Sequence, residues 1–124
     1  MVPTREAITQ NTKSQQLGPV MMSDWLHETA FIVYGVEMAG GIPAADSIVV
    51  NGHGHYNNSG TITGSYFETH LTRNKKHILR LINGSAGSSF IFAIDDHNLT
   101  VISNDLVAIE PFNVSQLFIG IGAS

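Results

Sequence analysis

Cysteine is absent from the 124 residues. That excludes disulfides, iron–sulfur clusters, thiolate zinc sites and a blue copper centre, which needs a thiolate beside two imidazoles. Charge is scarce: 13% of residues are Asp, Glu, Lys or Arg, and the net charge is −4. Beyond Arg73, Lys75 and Lys76 no basic cluster could follow a phosphate backbone, so no nucleic-acid partner is expected. No apolar run approaches the ~20 residues that span a bilayer, so no membrane partner is expected either. The opening MVPTREAITQNTKSQQ is polar and holds no apolar signal-peptide core. Serines are plentiful, yet none sits in a Gly-X-Ser-X-Gly elbow. Asp24, Glu68, Asp95, Asp96, Asp105 and Glu110 have no catalytic motif around them and read as turn or exposed-face residues.

What the chain does have is 43% hydrophobic residues in short, punctuated runs. The length suits one domain. From His77 to Ile121, apolar runs alternate with turn residues every ~8–12 positions, which predicts an all-β sandwich or barrel. Phe90, Phe92 and Ile94 share one face of a strand, with Ile91 and Ala93 on the other. Asp95 to Asn98 forms a turn, because Asp and Asn tolerate left-handed backbone. Leu99 to Ile102 is the returning strand, Asn104-Asp105 breaks it, and Leu106 to Ile109 and Val114 to Ile121 follow as further strands.

Upstream, residues 1–16 show no periodicity and read as a flexible leader, with a domain over residues 17–124. Gly18-Pro19 opens the order, and Val20 to Trp25 is the first strand. Trp25 is expected as a core or inter-domain anchor. Glu28 to Ala39 carries Phe31, Tyr34 and Met38 near helical spacing, interrupted by Gly35, and predicts a short helix. Ser47 to Val50 is a short strand before a turn at Gly52 and Gly54. Gly64 to Thr72 alternates cleanly, with Phe67, Thr69 and Leu71 opposite Tyr66, Glu68 and His70, and predicts a strand. Arg73-Asn74 is its turn, with Asn74 suited to a left-handed position, and His77 to Ile82 is the next strand.

The histidines invite a metal reading. His53 and His55, two apart, point the same way on a strand. Two imidazoles without further ligands hold a divalent ion only weakly, so the pair is expected to be incidental. His70 and His77 flank a hairpin end, His97 is expected to bond backbone, and His27 has no nucleophile beside it. Asn-X-Ser/Thr sequons start at Asn57, Asn83, Asn98 and Asn113, candidate N-glycosylation positions of a secretory ancestry.

Five segments, GPVMMSDWLHETAF, VVNGHGHY, HILRLIN, FAIDDHNLTVISND and VAIEPFNVSQLFIGIG, agree in order and spacing with one family. Over about Leu17 to Gly122 the chain resembles the second cupredoxin-like domain of fungal laccases, within the multicopper oxidases. The resemblance implies a Greek-key β-sandwich or barrel, here lacking its C-terminal strand and leaving an exposed sheet edge. It implies a middle domain that binds no cofactor of its own, with copper held elsewhere in the parent enzyme. Its partners would be the flanking copper-binding domains and, in the parent, phenolic small molecules, in an extracellular setting. By resemblance the loop Ser85, Ala86, Gly87 and Ser88 borders the phenol cleft. The family often has an acid at the position of Gly87 to accept the phenolic proton, and this loop holds none. A stand-alone β-sandwich binding module is the alternative, and an independent metal enzyme at His53 and His55 a third reading.

Overall fold

The structure, a computed structural model, describes residues 14–124. Most of the predicted leader therefore lies outside the described residues. Strand β1 (Gln15–Trp25) is the central strand of a three-stranded sheet, between β2 (Ser47–Val50) and β5 (His77–Asn83). Its first half pairs parallel with β5, through Val20↔Leu81 and Met22↔Asn83. Its second half pairs antiparallel with β2, from Met22↔Val50 to Trp25↔Ser47. The alternation the sequence shows is the one the sheet uses: Val20 and Met22 are buried, and Met21 between them is exposed.

The strand starts earlier than predicted, because Gln15 and Gln16 already pair with His77 and Ile78. The register then shifts before Pro19, at the positive-φ Gly18. Pro19 has no N–H to give the ladder. Asn51, itself at φ 48, supplies the missing rungs here. Its Nδ2 donates to Pro19 O (3.1 Å), and its Oδ1 accepts the Met21 N–H (2.8 Å).

A small core sits on this sheet. Met22, Phe90 and Ile119 are buried together, with Val50, Leu81, Phe92, Leu117 and Ala123 packed against them. Phe90 and Ile119 are register partners in the antiparallel pair β6 (Phe90–Phe92) and β9 (Leu117–Ile119). Ile91 points away from the core, as the alternation requires.

Two further hairpins complete the strands. β3 (His55–Asn58) and β4 (Thr61–Gly64) turn through Ser59 and Gly60, both at positive φ, the backbone of a tight two-residue hairpin. β7 (Leu99–Asn104) and β8 (Val107–Val114) turn through Asp105 and Leu106, also both at positive φ. β8 carries the strand expected over Leu106 to Ile109 on to Val114, and the strand expected over Val114 to Ile121 is reduced to β9. Pro111 is accommodated within β8 because the β7–β8 register shifts between Val101 and Ser103.

The segment Gly64 to Thr72 is a correction. Only Gly64 belongs to a strand, and residues 65–72 have no regular structure. Tyr66 and Leu71 are exposed and Phe67 is only partly buried, so the alternation has no sheet to pack against. Asn74 does take the left-handed turn position, at φ 61. Helix α1 (Ala30–Met38) forms as the short helix expected and ends at Gly40 in a positive-φ conformation. None of its residues is buried.

Candidate functional site

The loop 84–88 leaves β5 at Asn83, which is 1% exposed and bonded on every side. Its Nδ2 donates to Ser88 O (2.9 Å) and Ile119 O (3.2 Å), and its Oδ1 accepts the Ser85 N–H (3.0 Å). Its backbone N–H donates to Ala123 O, and its carbonyl accepts the Gly122 N–H. The Gly84 N–H donates to Met22 O on β1 (2.8 Å). The loop is thus fastened at both ends before any longer-range contact is considered.

Beyond Asn83, Asp24 of β1 reaches three of the four loop residues, Ser85, Ala86 and Gly87. Its N–H donates to Ser85 Oγ (3.1 Å). Its Oδ1 accepts the Ala86 N–H (3.0 Å) and its Oδ2 the Gly87 N–H (2.9 Å). Burial pushes the carboxyl up. The N–H groups of Ala86 and Gly87, the Ser88 hydroxyl and its own amide together outweigh that and hold it below its ordinary value. The loop lacks an acid in sequence and acquires one in space.

This arrangement has definite chemical limits. A carboxylate that accepts a backbone N–H on each oxygen is firmly ionised and a weak base. Its chemistry is to hold the loop's amides in place. Ser85 is 7% exposed, whereas Ala86 and Gly87 are exposed and present backbone to solvent.

The histidines are not gathered into one site. His53 Nδ1 lies 3.2 Å from Ser65 Oγ, while His55 stacks on Tyr66 with centroids 3.9 Å apart. His27 stacks on Tyr56 (3.5 Å), and its N–H donates to Asp46 Oδ2 (2.8 Å). His77 Nε2 accepts the Thr72 N–H (3.1 Å). His97 Nδ1 lies 2.7 Å from Asp95 O; the carbonyl only accepts, so Nδ1 carries the proton. Among the described residues no three His, Asp or Glu side chains are grouped to hold a metal. Without a cysteine the donor set does not fit a blue copper.

Of the sequons, Asn57, Asn98 and Asn113 are exposed. Asn83 is a correction: an amide nitrogen buried between two carbonyls has no room for a glycan in this fold. Trp25 is 52% exposed, so the core reading of it also fails. Along α1 an apolar concavity of about 670 Å³ is lined by Leu26, Ala30, Phe31, Val33 and Tyr34 with Glu28 and Glu37. It lacks the convergent polar groups of the loop.

The β architecture built around β1, with its small core under β6 and β9, is a cupredoxin-like fold. It superposes on the crystal structure of the laccase from Botrytis aclada with a TM-score of 0.81 at 37% identity, covering 88% of this chain and 21% of that one. The multicopper oxidase Fet3p shares the fold, with a TM-score of 0.68 at 20% identity. The family model for multicopper oxidases matches residues 17–124. A laccase of Arthroderma benhamiae is 43% identical over 104 residues, covering 84% of this chain and 16% of that protein. Laccase-2 of Botryotinia fuckeliana is 38% identical over 114 residues, covering 87% and 20%. The chain belongs to the multicopper oxidase family and is a fungal laccase-like domain. It spans a fifth or less of the length of these curated relatives.

Proposed function

We propose that the chain acts as the middle domain of a laccase-like oxidase, holding no copper of its own. The whole enzyme would couple one-electron oxidation of phenols to reduction of dioxygen to water, with copper carried by the flanking cupredoxin-like domains. This domain would space those two, and its loop 85–88 would form one wall of the phenol cleft. The observation that carries the reading is the lack of any cysteine in a chain of this family, since a blue copper needs a thiolate.

Two features support it. The large side chains of Phe31 (90%), Met38 (70%) and Ile42 (93%) lie exposed along one stretch, an apolar surface of the kind that marks an interface. A chain covering a fifth or less of its relatives leaves ample polypeptide to cover that surface. An extracellular setting with glycans at Asn57, Asn98 or Asn113 fits these exposed positions. Among the described residues no helix is long and apolar enough to cross a membrane.

The purified chain, loaded with copper and oxidised, is expected to show no intense blue charge-transfer band and no phenol oxidation. The flanking domains, supplied together, are expected to bind it and become active. A blue band from the chain alone would overturn the reading. Inactive flanking domains that ignore the chain would favour a stand-alone binding module.

A further inference from the structure

We infer that Asp24 is the residue that positions the substrate-facing loop, a clamp on β1 that sets the shape of residues 85–88 from outside the loop. The inference rests on the reading of this loop as a cleft wall. Three bonds join one residue of β1 to three consecutive loop residues, Ser85, Ala86 and Gly87, across the sheet from the strand that carries the loop. Two of these are backbone N–H groups donating to separate carboxylate oxygens at 3.0 and 2.9 Å, and such charge-assisted bonds are about twice as strong as neutral ones.

Geometry decides between two roles for this carboxylate. A proton acceptor needs a free lone pair directed at the substrate and a proton affinity near the working pH. Each Asp24 oxygen accepts a loop N–H, from Ala86 and Gly87, and these bonds lower its proton affinity, so it positions and does not abstract. Because Gly87 brings no side chain, the wall a phenol meets is made of the Ala86 methyl and exposed backbone. The direction of that backbone is fixed by where its N–H groups point, which is toward Asp24. Asp24 is itself held in register opposite Ile48 of β2, so the sheet sets the wall.

Asp24→Asn tests this directly. The isosteric amide keeps one acceptor oxygen and turns an NH2 toward an N–H that needs an acceptor. In the chain itself, amide exchange at Ala86 or Gly87 is expected to accelerate ~10–100-fold, the loss of one charge-assisted bond. The Gly84 amide, which donates to Met22 O, is expected to stay protected. In a full-length laccase-type oxidase carrying this domain, Asp24→Asn is expected to raise KM for a substituted phenol several-fold. Its kcat should change little, and oxidation of hexacyanoferrate, which needs no phenol-shaped wall, should be unaffected. Should Asp24→Asn fold poorly, Ser85→Ala removes the hydroxyl that accepts the Asp24 N–H and leaves the carboxylate. It should raise KM in the same direction by less.

Unchanged exchange at Ala86 and Gly87 would remove the clamp. Altered exchange with an unchanged KM for phenol would overturn the positioning role. A third variant, Gly87→Trp, then separates the two levels. If it raises KM for phenol, the loop lines the cleft and only the Asp24 inference falls. If it does not, the cleft-wall reading falls as well.

Discussion

The residues around Asn83 and those of helix α1 stand only a few strands apart, yet they are held by opposite means. At Asn83 a buried amide, a carboxylate and one serine hydroxyl tie β1, β5, β9 and the loop together through side chain-to-backbone bonds. Along α1 the side chains are apolar and none is buried. Thr29, at the N-cap, makes no side-chain cap bond, and only its carbonyl holds the first turn. A polar network holds its shape in an isolated domain, because its partners lie within the same sheet. An apolar helix with no covering surface gains little from its composition until something packs on it. The loop is prefabricated by the sheet beneath it, and the apolar face of α1 is not.

The largest effect expected is at the polar end. Asn83→Ala strands the carbonyls of Ser88 and Ile119 and the N–H of Ser85, and is expected to cost about 2–4 kcal/mol in chemical denaturation. A loss below about 1 kcal/mol would erase the contrast with α1.

Next comes acid. The Asp24 carboxyl is held below its ordinary value in the folded chain, so the unfolded chain binds that proton first as pH falls. Its contribution to stability is fully present above the ordinary carboxylate range and disappears as pH drops through the lowered folded value. Stability measured from neutral pH downward should therefore fall through that window, and less steeply in Asp24→Asn. Superimposable profiles for the two proteins would show that the bonds to Ala86 and Gly87 carry no net linkage.

The smallest effect belongs to the helix. Phe31→Ser should shift the stability of the chain by no more than about 0.5 kcal/mol, since the ring is 90% exposed. It should nonetheless weaken capture by the flanking domains. A destabilisation of the isolated chain by more than about 1 kcal/mol would mean α1 is already packed, and would sharpen the question of what it packs on.

How far the sequence reaches follows from the range over which each feature acts. Ser47–Val50 and the turn at Asn74 were legible because their signals are local: a β-branched run and a residue that tolerates φ > 0. The β3–β4 hairpin is harder to see, because Ser59-Gly60 is a weaker turn signal than Asn-Gly and its strands, His55–Asn58 and Thr61–Gly64, carry few apolar residues. Residues 65–72 show the converse, a period of two that meets no partner strand. The loop 85–88 was legible as a polar turn between two apolar strands. The acid that holds it was not, since Asp24 precedes the loop by 61 to 63 positions. Only the parallel register of β1 on β5 brings them together, and no local pattern encodes that register.

That parallel register also has a consequence in time. The β3–β4 and β7–β8 hairpins join neighbours across two-residue turns, events of about 1–10 μs. Pairing Val20 with Leu81 must close a far longer stretch of chain, whose entropy cost comes before any contact rewards it. The loop cannot find Asp24 until that closure is made. Pulse-labelling should accordingly see the Gly87 amide gain protection after those of the two hairpins, so the loop 85–88 is among the last parts of the domain to assemble.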